Sequence, residues 1–453
     1  MREIIKRQRE ILNLSLREAA KRAEVSAPYL LDVERGKRAP SREVLQRLAS
    51  VLEIPLEMLT EDRQAVEVAN EKTAVPILSD DTLVFLASGV VQIYERNLEK
   101  IERGAAKNER EIVPYPNRLQ QSFNNLVCAF LARRKEPPQS IVELLQWCEK
   151  PFREWRLDSL PEGVSPNDAL LVNNAPSQLC EDYARQESDL AAALSEEKFV
   201  REMREECADK PEVYTALRRK LIEKPILTEN ELRDLRLSNP LASVRKLLGA
   251  AYEDAPKYLA QNDYFWLCPA CGDLLVRVEN RRAPEQWRCR EETCEQPPFF
   301  SNENLKRLSV EERVKQLLRG LRRYIAAPGK AELKLEQTLL KIGAKHNLRV
   351  ELYPRLDAYD LRVVFANGEA WAIDVKDWAN PYLLAKNLAA KEKPFRFAST
   401  WQRAFFVFPE RRRKQNRDYA DIFQQHFPLP PSSRTEAVFE RDFVRLVKER
   451  LKQ

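Results

Sequence analysis

The chain of 453 residues carries 76 basic and 70 acidic side chains, so its formal net charge of +6 does not by itself indicate a partner. Its length is enough for roughly two to four domains, and its most apolar run, 83–93, is about half as long as a membrane-crossing helix. The amino-terminal residues lack the apolar region of a signal peptide, and we expect a soluble cytoplasmic protein without a membrane partner.

Residues 1–62 contain short helical patterns that predict an all-α bundle of five helices, over 2–12, 15–22, 26–35, 41–52 and 55–59. Ser15, Ser26 and Ser41 each precede a pattern and suit the N-cap position. The passage 16–41 resembles the Xre/Cro-type helix-turn-helix family. This resemblance implies that the helix starting at Ser26 enters the major groove of DNA and that the turn after it lies beside the phosphates. The DNA-binding residues that it implies are Ser26, Tyr29, Arg35, Lys37 and Arg38.

The start of this recognition helix is poorly suited to reading bases. Ala27 and Pro28 stand there, and neither side chain can form the bidentate hydrogen bonds that distinguish base pairs. Asp32 would repel phosphate and could at best accept a hydrogen bond from cytosine. Two alternatives to sequence-specific recognition stay open: weak DNA binding through the cations of the following turn, or a bundle that docks another protein.

Residues 63–80 predict a linker, and residues 81–262 predict a mainly α middle region. Its helical patterns cover 82–103, 117–134, 140–156, 176–207, 211–221 and 229–252. No motif in this region indicates chemistry, and the function that we expect of it is a surface for a protein partner. Four isolated cysteines are predicted to be buried thiols: Cys128, Cys148, Cys180 and Cys207.

Residues 263–300 contain two close pairs of cysteines, Cys268 with Cys271 and Cys289 with Cys294, separated by 17 residues. Four thiolates suit a closed tetrahedral Zn²⁺ site, and Gly272 permits the tight turn after the first pair. The pattern resembles a zinc ribbon, which implies a structural metal and not a catalytic one. The ribbon either braces the following domain or contacts nucleic acid through Arg277, Arg281, Arg282, Arg288 and Arg290.

The carboxyl-terminal residues 301–453 contain a predicted β-hairpin. Segments 361–365 and 370–375 have the branched and aromatic composition of strands. Asn367–Gly368 joins them, and this dipeptide is favoured in tight hairpins. The two strands are therefore expected to pair antiparallel.

Charged side chains follow the end of this hairpin. Because side chains two apart leave a strand on the same face, Asp374 and Lys376 emerge together, and the hairpin brings Asp360 near them. Two carboxylates suit Mg²⁺, a hard cation that prefers oxygen ligands. A bound metal ion polarises a phosphate and activates water, while a lysine ammonium offsets developing negative charge. The arrangement predicts phosphodiester hydrolysis.

Asp360 with Asp374-Val375-Lys376 resembles the motif of the restriction-endonuclease-like superfamily. The resemblance implies an α/β domain and a Mg²⁺- or Mn²⁺-dependent endonuclease with Asp360, Asp374 and Lys376 as catalytic residues. It also implies a glutamate on the preceding helix, 330–344, as a further metal ligand. Glu336 borders the apolar stripe of that helix and is the preferred candidate, with Glu332 as the less favoured one. The helix 382–391 and the strand 404–408 complete the expected element order.

A run of cations, Arg411, Arg412, Arg413 and Lys414, follows the last of these strands and is expected to contact phosphates, with a solvated surface as the alternative. The chain has 2 histidines and no Gly-x4-Gly-Lys-Ser/Thr sequence. These absences argue against histidine-dependent nucleases and against a nucleotide-driven motor.

The four regions together resemble the nucleases that accompany a prokaryotic Piwi protein and a helicase in defence islands. The resemblance implies that a helicase or Piwi-like partner selects the target, and a homodimer is one way to cut both strands. A second class stays open, in which an Xre-type transcriptional regulator carries a nuclease-like domain that does not cut. A third is an adaptor that recruits partners through its helical middle.

Overall fold

The computed structural model describes residues 5–6, 8–9, 12, 14–35, 37–38, 40–52, 76–102, 115–172, 175–186, 190–277, 287–294, 305–390, 395, 397–429 and 433–452. The chain divides into two compact units, Met1–Val75 and Pro76–Gln453. No helix in the described part of the chain is long and apolar enough to cross a membrane.

The first unit contains a helix-turn-helix, with described helices α1 (Leu16–Arg22), α2 (Ala27–Glu34) and α3 (Arg42–Val51). Their N-caps are the three serines that the sequence indicated, and each hydroxyl accepts a backbone N–H of the first turn. A small core of alanine, leucine and valine side chains joins these helices. Of the other two predicted helices, 2–12 is described only in fragments, and 55–59 lies outside the described residues, as does most of the predicted linker.

The described residues at the start of the second unit form the helices α4 (Asp80–Glu102), α5 (Asn117–Ala132), α6 (Ile141–Cys148), α7 (Gln178–Ala184), α8 (Leu190–Glu206), α9 (Pro211–Glu223), α10 (Glu229–Leu237) and α11 (Ala242–Ala250). The middle region is therefore mostly helical, as predicted. Two of the predicted helices, 176–207 and 229–252, are each divided in two. Pro240 explains the second division, because proline disfavours helical backbone in the residue before it.

Three of the four isolated cysteines are buried, but the prediction is wrong for Cys128, which is exposed. The buried stripe of α5 includes Leu126 and Phe130. Cys128 is two positions from each, and positions two apart face different sides of a helix.

Short strands connect the middle region to the rest of the second unit. They are β1 (Leu171–Val172), β2 (Ala175–Pro176), β3 (Ile226–Leu227), β4 (Tyr252–Asp254), β5 (Tyr264–Trp266), β6 (Leu275–Arg277), β7 (Trp287–Cys289), β8 (Arg307–Ser309) and β9 (Lys315–Leu317). Strands β6 and β7 form an antiparallel pair that carries the first cysteine of the second pair, Cys289. Strand β9 pairs with both β3 and β4, so this part of the chain folds back onto the helical region.

The carboxyl-terminal region contains a five-stranded sheet in the order β10 (Arg349–Leu352), β11 (Leu361–Val364), β12 (Ala370–Val375), β13 (Arg403–Phe408) and β14 (Thr435–Phe439). The first three strands pair antiparallel, whereas β12, β13 and β14 are parallel. The helices of this region are α12 (Ala327–Gly343), α13 (Pro381–Ala389), α14 (Glu410–Gln415), α15 (Tyr419–His426) and α16 (Glu440–Arg450).

Both faces of this sheet are covered. On one face, Trp371 and Ile373 of β12 belong to a core that includes α12, α16 and helices α8 to α11 of the middle region. On the other face, Ala372 packs in a core with α13 and α15. Gly329 of α12 allows close contact with α9, because a Cβ at this position would lie 2.4 Å from Ile222 Cδ1. The sheet and the middle region therefore share one hydrophobic core.

Candidate active site

The carboxyl end of strand β12 carries two neighbouring carboxylates. In the antiparallel pairing of β11 with β12, Leu361 lies opposite Ile373, so the next pair outward is Asp360 with Asp374. The Asp360 Oδ2 accepts a hydrogen bond of 2.7 Å from the backbone N–H of Val375. Both aspartates are buried, with 7% and 8% of their surface exposed. The hairpin thus holds two acidic groups at the end of the central strand.

Lys376 adjoins these carboxylates. Its Nζ donates to Asp374 Oδ1 at 2.6 Å, and its backbone N–H donates to the carbonyl of Val407 at 3.0 Å. Burial lowers the pKa of Lys376, but Asp374 and Asp360 outweigh this effect and raise its pKa overall. The ammonium therefore stays charged at neutral pH.

Helix α12 has two glutamates one turn apart, and they have different surroundings. Glu332, only 3% exposed, lines the same cavity as the two aspartates. It accepts a hydrogen bond of 2.5 Å from the Tyr353 hydroxyl. Glu336 does not line this cavity and pairs with Arg219 of helix α9. The structure therefore places Glu332 at the site, whereas the sequence had favoured Glu336.

Asp357 is a further carboxylate of this cavity, and sequence reasoning missed it. Its Oδ2 accepts hydrogen bonds from Arg218 Nη1 at 2.5 Å, from the Tyr214 hydroxyl at 3.1 Å and from Arg204 Nη2 at 3.1 Å. Arg218 also lies 3.4 Å from a carboxylate oxygen of Glu332. These donors come from helices α8 and α9, so the middle region takes part in the site. No local pattern could have indicated a pair whose members are 139 residues apart.

Four residues between β10 and β11 have positive φ. Tyr353, Arg355, Leu356 and Asp357 have φ values of +50°, +52°, +58° and +68°. For residues other than glycine this conformation costs about 1–2 kcal/mol each. The Tyr353 N–H donates to the Asp360 carbonyl at 2.8 Å. The hydrogen bonds that Asp357 accepts from helices α8 and α9 hold this turn in place.

The carboxylates and Lys376 line a cavity of about 660 Å³. Burial raises the pKa of Asp360 well above its usual value, Glu332 and Asp374 raise it further, and Lys376 opposes them. Negative charge at Asp360 is therefore not fully offset by the neighbouring cation. A bound divalent cation would relieve this imbalance, and carboxylate oxygens are suitable ligands for Mg²⁺.

The basic run lies on helix α14 and is only partly available to a ligand. Arg411 pairs with Asp377, and Arg412, 1% exposed, donates from Nε to Asp377 Oδ1 at 2.8 Å. Arg413 pairs with a carboxylate of helix α16. Lys414 is exposed. Three of the four cations therefore pair with carboxylates of the protein itself, which differs from the expectation that the whole run contacts phosphates.

The predicted DNA-binding residues of the first unit lie in and after helix α2. The Ser26 hydroxyl caps this helix by accepting from the Tyr29 N–H at 3.3 Å. The guanidinium of Arg38 lies 5.2 Å from the centre of the Tyr29 ring. Arg35, Lys37 and Arg38 are all exposed. The turn after α2 therefore presents three cations to solvent.

The four cysteines of the predicted ribbon converge in the structure. The Sγ atoms of Cys268, Cys271, Cys289 and Cys294 all lie within 4.8 Å of one another. Gly272 has a φ of +72°, and its N–H donates to the Cys268 carbonyl at 2.9 Å, which closes the first turn. Among the described residues, these cysteines form the one set of three or more metal-ligand side chains this close together. The cluster could bind a structural metal ion.

The chain is a multidomain protein. It contains a helix-turn-helix, a mostly helical middle region, a four-cysteine cluster and a mixed sheet with buried carboxylates. Comparison with known families shows which domain families these regions match. Residues 5–59 match the family model "Helix-turn-helix", residues 100–228 match "pPIWI_RE three-gene island domain Y", and residues 329–453 match "REase associating with pPIWI_RE". The chain therefore carries the amino-terminal and carboxyl-terminal domains that the sequence indicated, in the Piwi-associated arrangement.

Curated relatives match the amino-terminal part. An uncharacterized HTH-type transcriptional regulator of Mycobacterium tuberculosis is 47% identical over 55 residues, which are 12% of this chain and 39% of that protein. The HTH-type transcriptional regulator DdrOP3 of Deinococcus deserti is 40% identical over 72 residues, 16% of this chain and 54% of its own length. The chain thus spans between about two fifths and half of these relatives.

Proposed function

We propose that this chain is a metal-dependent DNA endonuclease of the restriction-endonuclease-like superfamily, which acts with partner proteins in a Piwi-associated defence module. The observation that supports this most is the convergence of Asp360, Asp374 and Lys376 at the end of β12, within the residues matched by the REase family model. The order of α12, the antiparallel hairpin, α13 and β13 agrees with the core of that superfamily. The predicted domain bounds, 1–62, 63–80, 81–262, 263–300 and 301–453, are part of this proposal.

The carboxylates Asp360, Asp374 and Glu332 would hold Mg²⁺ or Mn²⁺, which would polarise the scissile phosphate and lower the pKa of an attacking water. Lys376 would orient that water and offset the charge that develops on the phosphate. Burial raises the pKa of Glu332, and Arg218, which pairs with this glutamate, opposes that effect and holds the carboxylate in place. The four cysteines would hold a structural Zn²⁺.

The direct test is a cleavage assay with the full-length chain, plasmid DNA and labelled oligonucleotides in Mg²⁺, Mn²⁺ or EDTA, with and without co-purified partners. We expect nicked or cut products with either metal ion and none in EDTA. The second candidate function is transcriptional regulation, which the similarity of the amino-terminal residues to two HTH-type transcriptional regulators favours. It is supported if no cleavage occurs under any condition while a defined promoter is bound tightly.

The two glutamates of α12 allow a sharp comparison within this assay. Glu332→Gln is expected to lower the cleavage rate at least about tenfold, because it removes a carboxylate proposed to hold the metal ion. Glu336→Gln removes the same charge one turn away, where the carboxylate pairs with Arg219, and is expected to leave the rate within about twofold. A larger loss for Glu336→Gln than for Glu332→Gln would contradict this assignment.

The cations of the turn after α2 are expected to supply most of the non-specific DNA affinity of the first unit. Replacing Arg35, Lys37 and Arg38 with alanine removes up to three phosphate contacts. The slope of log affinity against log salt should then become shallower by up to roughly three. Fluorescence anisotropy with a labelled duplex at several salt concentrations measures this slope. A control variant with three exposed cations elsewhere replaced should keep the slope of the parent: Lys198→Ala, Arg233→Ala and Arg349→Ala.

A further inference from the structure

Residues of the middle region line one side of the cavity at the carboxylate site. Arg201 and Arg204 both line it and lie three positions apart on α8, so they share one face of that helix. Arg201 is exposed and makes no ion pair among the described residues. The Arg204 side chain is 43% exposed; its Nη2 contacts Asp357, and its Nε donates to the Leu356 carbonyl at 3.2 Å. Two guanidinium groups therefore face the cavity with capacity for another anion.

Planar groups lie at the same cavity. The Arg185 guanidinium is 4.3 Å from the centre of the Tyr324 ring and 5.9 Å from that of Trp378. Both aromatic residues are partly exposed and line the cavity. Trp378 stands two residues after Lys376, so this cluster adjoins the proposed scissile position. Guanidinium and aromatic faces are surfaces on which nucleobases stack.

The remaining arginines of the cavity have a different role. Arg218 is bound to Glu332 and Asp357, and Arg323 pairs with Glu181. These two cations neutralise carboxylates inside the protein. Besides Lys376, the cationic side chains of the cavity that we consider for substrate binding are Arg201 and Arg204 of α8 and Arg185 directly after α7, all within the residues matched by the domain Y model.

We propose that this cavity binds an unpaired strand of nucleic acid, as the substrate of the carboxylate site proposed above. Arg201 and Arg204 contact its phosphates, and the cluster of Arg185, Tyr324 and Trp378 stacks on a base next to the scissile phosphate. The inference assigns part of domain Y to substrate binding and so rests on the proposed function. Binding of a strand would explain why arginines of the middle region line the same cavity as the carboxylates Asp360, Asp374 and Glu332.

An unpaired strand fits these side chains better than a duplex does. The bases of a duplex are paired and stacked on each other, so a protein ring can stack on one only after that base has left the helix. Single strands are bound by cationic grooves combined with aromatic platforms, with little dependence on sequence. The cavity of about 660 Å³ is also within the range of pockets that enclose nucleotide-sized ligands.

The test measures binding without cleavage, by fluorescence anisotropy in EDTA with the full-length chain. The probes are a labelled 20-nucleotide DNA strand, the RNA strand of the same sequence and the matching DNA duplex. All proteins carry Arg35→Ala, Lys37→Ala and Arg38→Ala to reduce binding by the first unit. We expect single strands to bind at least about fivefold more tightly than the duplex. The DNA and RNA probes show which sugar the cavity accepts.

Variants then locate the binding surface. Arg201→Glu and Arg185→Gln change side chains at the protein surface and should each weaken single-strand binding about fivefold or more. Lys198→Glu is the matched control, since Lys198 lies on the same helix outside the cavity and its side chain is 68% exposed. Equal affinities of Arg201→Glu, Arg185→Gln and Lys198→Glu would overturn the inference, and so would tighter binding of the duplex than of either strand.

The outcome separates this inference from the proposed function. Cleavage of duplex DNA in Mg²⁺ that Arg201→Glu leaves unchanged would refute the inference and keep the nuclease. Strand binding that depends on Arg201 and Arg185, without cleavage in any metal ion, would keep the binding site and refute the nuclease.

Discussion

Asp374→Asn and Lys376→Met are each expected to reduce metal-dependent cleavage to background. Asp374→Asn removes a charged ligand of the proposed metal site, and Lys376→Met removes the ammonium that lies 2.6 Å from Asp374 Oδ1. Loss of one preorganised charge-stabilising group costs a factor of about 10²–10³ in rate, so each variant should lose at least that much. The initial rate of plasmid nicking in Mg²⁺ and Mn²⁺ measures the effect.

Loss of folding is the alternative explanation that this experiment must exclude. Lys376→Met leaves the buried Asp374 carboxylate without the ammonium that pairs with it, and loss of one partner of a buried pair typically destabilises a protein by about 3–5 kcal/mol. The double variant Asp374→Asn/Lys376→Met removes both charges and should be closer to the parent in thermal stability while still inactive. The matched control is Asp254→Asn, which breaks an exposed pair with Lys315 and should cut normally. Normal nicking by both single variants would disprove the site.

Cys271→Ser is expected to have the second large effect, on metal content, on stability and on cleavage together. A structural Zn²⁺ bound by four thiolates contributes about 10 kcal/mol or more of apparent binding free energy, which becomes folding free energy. We expect bound zinc to fall from about one equivalent per chain to well below one. The melting temperature should fall by several degrees, because the cluster lies within the larger compact unit.

The expected effect on cleavage follows from hydrogen bonds that connect Glu292, beside the second cysteine pair, through Gln178 to the residue after Lys376. Glu292 accepts a hydrogen bond of 2.6 Å from the Gln178 N–H. The Gln178 side chain in turn donates to the Asp377 carbonyl at 2.5 Å, one residue after Lys376. Loss of a metal ion held by the four cysteines would free the segment that carries Glu292 and loosen this connection. We therefore expect slower cleavage at temperatures where the variant is still folded.

Cys128→Ser is the matched control for the metal site, because Cys128 is an exposed, isolated thiol on helix α5. It should keep the zinc content, melting temperature and cleavage rate of the parent. Metal analysis by mass spectrometry and thermal denaturation by circular dichroism provide the measurements. A Cys271→Ser protein with a full equivalent of zinc and an unchanged melting temperature would refute the four-cysteine site.

Several features of the fold and the candidate site could be predicted because they depend on neighbouring residues. Three serines marked helix starts through their capping hydroxyls. The period of two along a strand put Asp374 and Lys376 on one face, and the short turn at Asn367–Gly368 fixed the hairpin that brings Asp360 beside them. The spacing of the cysteines indicated their cluster.

Other features were beyond such reasoning, because they depend on how elements pack. Glu332 and Glu336 are four positions apart on a helix and so lie on the same face, and only the position of α12 along the sheet distinguishes them. Strands β10 and β14 were missed, since short edge strands carry little periodic signal. Arg412 looked like a surface cation, and its burial depends on Asp377, 35 residues away.

The sequence by itself thus determined the two-carboxylate and lysine motif, the cysteine cluster and the helix-turn-helix, since each is set by the geometry of a short segment. Only the tertiary structure decided which glutamate lines the same cavity as the motif, that Asp357 lies beside it, and that arginines of the middle region also line that cavity. The pairs of Arg218 with Asp357 and with Glu332 join residues more than 100 positions apart. The shared core between α8 to α12 and the sheet brings them together, and no local pattern encodes that packing.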